Sequence, residues 1–95
     1  MKLKNICNIT VDNQDADFWL IRKGDERVVG TPTKTFSPEH IAIKVTDTER
    51  VYPDFLYYYF QYLHNEGMFV NMSKGTLRLK HITVKDIEEI PIRFS

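Results

Sequence analysis

Apolar and polar positions alternate with period two at the start of the chain. Residues 6–11 follow this pattern and predict a strand, and residues 12–15 (Asp-Asn-Gln-Asp) form a polar turn. Residues 18–21 (Phe-Trp-Leu-Ile) read as a second, largely buried strand. Residues 22–27 carry turn chemistry around Gly24, and residues 27–29 resume strand character. The stretch 30–38 is a loop, since Pro32 and Pro38 exclude a regular central strand. Ile41, Ile43 and Val45 alternate with His40, Ala42 and Lys44, which predicts a strand over 40–45.

The period then changes. Leu56, Tyr59, Phe60 and Leu63 recur at i, i+3, i+4 and i+7, the stripe of an amphipathic helix. Pro53 suits its first position and Asp54 the positive end of its dipole, while Asn65 and Gly67 stop it. Residues 68–70 are a last buried turn or a short extended piece. Residues 76–82 alternate again, with Leu77 and Leu79 on one face and Arg78 and Lys80 on the other. Thr83 and Asp86 resemble a capping box opening a short helix over 84–89. Residues 90–94 predict a terminal strand that Pro91 assigns to an edge. The sum is one α+β domain over residues 1–95. In it a small twisted, mostly antiparallel sheet packs with one main amphipathic helix and a short second helix.

Composition narrows the setting. Six Phe, five Tyr and one Trp give a chain of 95 residues enough bulk for a core, with Trp19 expected inside it. No run of 18 apolar residues exists, so no membrane span is expected, and the N-terminus lacks the apolar core and cleavage site of a signal peptide. The one cysteine, Cys7, cannot form an internal disulfide, which favours a reducing cytoplasm. Within a strand it reads as a small buried hydrophobe.

Catalytic chemistry has no signature here. His40, His64 and His81 are scattered without Cys or carboxylate at ligand spacing, so no metal is expected. No glycine-rich phosphate loop occurs, and no acidic residue stands two positions before a lysine as a metal-dependent nuclease motif requires. Neither an enzyme nor a cofactor is expected.

Charge is neutral overall, with 13 basic and 13 acidic residues, which argues against coating nucleic acid by charge alone. The distribution is uneven. Between Met68 and Lys85 lie Lys74, Arg78, Lys80 and Lys85 with no carboxylate, leaving minus four on the rest of the chain. One reading is a solvated strand face. The other is a phosphate-contacting strip. In that strip Lys74 stands at a turn whose Gly75 and Thr76 also donate, and Arg78 and Lys80 share one strand face. Arg22, Lys23, Arg27, Thr33 and Lys34 in the upstream loops are the further candidates for base contacts.

The order of these motifs resembles the target recognition domain of type I restriction-modification specificity subunits. The carrying residues are Pro53, Leu56-Tyr57-Tyr58, Gly75-Thr76, Ile82 and the closing Ile90-Pro91-Ile92. Residues 18–24 and 41–43 are similar more loosely, so that roughly 75 residues are covered. The resemblance implies an α+β fold, sequence-specific recognition of duplex DNA without catalysis, and a bacterial or phage source. It also implies a methylation subunit as a partner. The family's long spacer helix after the Ile-Pro strand has no counterpart before Ser95, so the resemblance is to a truncated, stand-alone form.

An alternative of another class rests on Tyr57, Tyr58 and Tyr62, which the main helix carries beyond its stripe. They either pack on the sheet or form an interface for a restriction-modification subunit or a second copy, making the chain a protein-interaction module or homodimer.

Overall fold

The computed structural model describes residues 1–93, in two antiparallel sheets and three α-helices. The larger sheet has β1 (Cys7–Val11), β2 (Phe18–Leu20), β4 (Pro32–Thr33) and β5 (Ile41–Val45) in the order β1-β5-β2-β4. The smaller has β3 (Lys23–Gly24), β6 (Lys74–Gly75) and β7 (Lys80–His81) in the order β3-β7-β6. The helices are α1 (Pro53–Asn65), α2 (Met68–Met72) and α3 (Val84–Glu88). A 3₁₀ turn over Leu3–Asn5 precedes β1. The α+β class expected from the periodicities is the one observed, with its strands divided between two sheets.

The core lies between the larger sheet and α1. Ile9, Ile43 and Phe18 form one row across β1, β5 and β2 and point at the helix. Phe18 meets Phe60 at 5.7 Å and Tyr57 edge-on at 5.4 Å, and Phe60 stacks on Phe69 of α2 at 5.7 Å. Leu56, Phe60 and Leu63 are buried as the stripe requires, whereas Tyr59 is only half-buried at its edge. The opposite face of β5 is also closed. Ala42 pairs with Trp19, which is 7% exposed, covered by Phe36 at 6.0 Å and bonded through Nε1 to the Asn13 carbonyl. Cys7 is 3% exposed, in the role expected of it.

Several local expectations change. Residues 27–29 form a turn instead of a strand, because the Asp25 carboxylate accepts from the amides of Arg27 (2.9 Å) and Val28 (3.1 Å) and curls the chain. Within the loop 30–38, Pro32 and Thr33 form β4, which lies at the sheet edge where proline costs no ladder bond. Residues 68–72 are helical. The strand expected over 76–82 is a hairpin, and only Lys74, Gly75, Lys80 and His81 pair in its arms. The closing strand over 90–94 reduces to one isolated bridge between Lys2 and Pro91. Bonds from Leu3 N to Ile90 O and from Ile92 N to Met1 O, each 2.8 Å, secure that bridge. Phe94, the end of that expected strand, lies outside the described residues. The short helix α3 starts as predicted, with Thr83 and Asp86 exchanging backbone-to-side-chain bonds of 3.0 and 3.1 Å.

Candidate nucleic-acid interface

The smaller sheet is built from two pieces of chain far apart in sequence. Lys23 and Gly24 continue the direction of β2 and pair with β7, whose other edge pairs with β6. The register puts Lys23, His81 and Lys74 in one row, and Gly24, Lys80 and Gly75 in the next. Residues side by side across a sheet point to the same face and adjacent ones to opposite faces. Lys23, His81 and Lys74 therefore share one face, and Lys80 points to the other between two glycines.

This arrangement corrects the expected strip. Arg78 and Lys80 do not share a strand face, because residues 76–79 form the hairpin loop. Leu79 N donates to the Thr76 carbonyl and hydroxyl oxygens, both at 3.2 Å, which closes that loop. Leu77 and Leu79, expected to share one face of a strand, stand 66% and 70% exposed at its tip. Gly75 has a φ of +108°, and a Cβ there would collide with the Leu79 carbonyl oxygen, so this tight hairpin requires glycine. Gly75 and Thr76 line a shallow pocket of about 450 Å³ with Lys23, Leu79, Lys80 and His81.

Arg27 joins the same region. Glu26 N donates to Leu77 O at 3.0 Å, tying the turn that carries Arg27 to the hairpin loop that carries Arg78. His64 supports this turn from α1, with Nε2 3.0 Å from the Arg27 carbonyl oxygen and 3.2 Å from Thr31 Oγ1. Arg22 has a framework role. Its Nε donates to Glu39 O at 2.8 Å and its carbonyl accepts from Ile82 N at 3.0 Å.

Thr33 and Lys34 belong to a different place, the β4 edge of the larger sheet. Lys34 pairs with Asp54 at 3.3 Å and its ammonium lies 4.6 Å from the centre of the Tyr57 ring. Thr33 Oγ1 accepts from Thr35 N at 3.1 Å. Tyr57 is thereby enclosed by Phe18 and Lys34, unlike Tyr58 and Tyr62, which are 68% and 56% exposed. The Glu66 carboxylate beside Tyr62 raises its phenol above the usual value.

Ion pairing separates the basic residues into two classes. Lys2, Lys4, Lys34, Lys44 and Arg50 all sit beside carboxylates. Lys23, Arg27, Lys74, Arg78 and Lys80 have no carboxylate partner among the described residues, and neither do Arg22, Lys85 and Arg93. No group of three metal-ligating side chains occurs among the described residues either, and none of the helices found there is long and apolar enough to cross a membrane. Compared with family models, curated proteins and solved structures, the chain matches none.

His81 is the member of this face that the sequence did not single out. Its place depends on pairing between residues 23–24 and 80–81, a long-range register that no local pattern announces.

Proposed function

We propose that the chain is a non-catalytic DNA-binding module of the kind found as the target recognition domain of type I restriction-modification specificity subunits. The observation that carries this reading is the row Lys23, His81 and Lys74 across the smaller sheet. Lys23 and Lys74 flank His81 from the two outer strands, so their ammonium groups repel each other across the row, and an anion spanning it turns that repulsion into attraction. Lys23 and Lys74 stand two strand spacings apart, roughly 10 Å, and flexible ammonium stems from those points can bracket successive phosphates. Arg78 at the hairpin tip and Arg27 on the adjoining turn are the donors for base edges. In this reading any methyl transfer or cleavage belongs to partner subunits.

A gel-shift series with mixed-sequence duplex DNA tests the proposal. Binding is expected at about 50 mM salt and falls steeply as salt is raised, because each neutralised phosphate releases counterions. Replacing Lys23 and Lys74 together by Ala is expected to remove most of it. No duplex binding at low salt overturns the proposal.

A further inference from the structure

We propose that this chain forms a two-fold dimer through the outer aromatic flank of α1, with a second copy of itself as the partner. Tyr52 is 76% exposed, Phe55 56%, Tyr58 68% and Tyr62 56%, all on the side of the helix that the sheet does not cover. The rings are already ordered among themselves. Phe55 and Tyr59 stack at 6.3 Å with planes 5° apart, and Tyr59 and Tyr62 stack at 6.4 Å with planes 22° apart. A ladder of rigid rings on a helix loses little side-chain freedom on docking, and tyrosine is enriched in interfaces for its apolar body and polar tip.

Area selects the partner. At about 200 Å² per aromatic side chain, the exposed fractions of these four residues amount to roughly 500 Å². That equals the largest apolar patch that monomers usually leave uncovered, about 300–600 Å². Two such faces together remove about 1,000 Å², the lower bound of a specific interface, so the dimer is of modest, micromolar affinity. Charge points the same way. α1 contains no Lys or Arg, so this flank lacks the cationic groove that single-stranded nucleic acid needs to stack on aromatics. Its acidic residue, Asp54, lies at the first turn and is held by Lys34. Glu66 stands beside Tyr62 just past the end of α1, so the flank carries a carboxylate at its C-terminal end. An antiparallel two-fold arrangement keeps the two copies of that charge apart while each ring ladder meets the other.

The inference is independent of the basic row. Sedimentation velocity over a concentration series is expected to show a monomer–dimer equilibrium in the micromolar range. Tyr58→Ser together with Tyr62→Ser is expected to weaken it by about 30-fold or more, as interface tyrosines do. Phe55→Ser alone gives a smaller shift in the same direction, and Lys74→Ala leaves the equilibrium unchanged. All these side chains are exposed, so circular dichroism of the variants should match the parent. A parent protein that stays monomeric to millimolar concentration overturns the inference, whether or not it binds single-stranded DNA. So does a dimer that the serine substitutions leave intact.

Discussion

Gly30 lies against the ring of Phe69 so closely that a Cβ on residue 30 would overlap the ring carbons. This contact joins the turn after β3 to α2, and both residues are buried. Gly30 also has a φ of +86°. Gly67 has nearly the same φ, +83°, but open space around it, with Val70 the nearest side chain at 3.8 Å. The pair separates backbone strain from overpacking. Gly67→Ala should cost about 1 kcal/mol for the left-handed conformation alone. Gly30→Ala should cost about 2–4 kcal/mol, since the clash with a buried ring adds to that strain. Urea denaturation of the two variants measures the difference, and equal losses would show that Phe69 yields freely.

Gly75 makes a different prediction, because its neighbour is backbone and its position is exposed. A Cβ there meets the Leu79 carbonyl, so Gly75→Ala must open the hairpin between β6 and β7. Little core is attached to that hairpin, so the global unfolding free energy should fall by less than for Gly30→Ala. Affinity for duplex DNA should fall strongly, since the register that brings Lys74 alongside His81 is lost. Denaturation and gel shift on one sample separate the two effects. Unchanged DNA affinity would detach the hairpin from binding.

The strands and helices with clear periodicity were legible in the sequence, and those fixed by distant partners were not. Leu56, Phe60 and Leu63 announced α1, and the Thr83–Asp86 box announced α3, because each signal is local. Residues 27–29 and 76–79 misled for a shared reason. Val28 and Val29, like Leu77 and Leu79, carry the composition of a strand, but side-chain bonds from Asp25 and Thr76 bend the backbone first. Of the candidate DNA-contacting residues, the Lys74–Thr76 turn could be found from sequence. The grouping of Lys23 with His81 and Lys74, and the separation of Lys34 from them, depend on the register of β3 against β7 and on the Lys34–Asp54 pair.

That grouping predicts unequal roles for similar lysines. Lys23→Ala and Lys74→Ala should each lower the slope of log K against log salt by about 1, the signature of one lost phosphate contact. Lys34→Ala should leave the slope unchanged, because that ammonium is occupied by Asp54 and Tyr57 at the other sheet's edge. Lys80→Ala, on the opposite face of the smaller sheet, should have less effect than Lys74→Ala. Equal slopes for all four variants would mean that binding follows net charge and not this face.

Cys7 links burial to pH. Burial, reinforced by the nearby Asp17 carboxylate, pushes its thiol from 9.0 up to about 12. The folded state therefore holds this proton after the unfolded chain has released it. The corresponding stability is fully present below about pH 9 and is lost progressively as pH rises toward about 12. The slope is one proton, about 1.4 kcal/mol per pH unit, so a loss of about 1 kcal/mol is expected by pH 10. Tyrosines and lysines titrate in the same window, so the measurement is the difference between the parent and Cys7→Ala. Denaturation at pH 8 and pH 10 should show the parent losing more stability than the variant. The native thiol should also resist alkylation at pH 8 and react only once denaturant exposes β1. Equal pH dependence in the two proteins, together with rapid alkylation of the folded one, would mean that β1 opens readily at its Cys7 end.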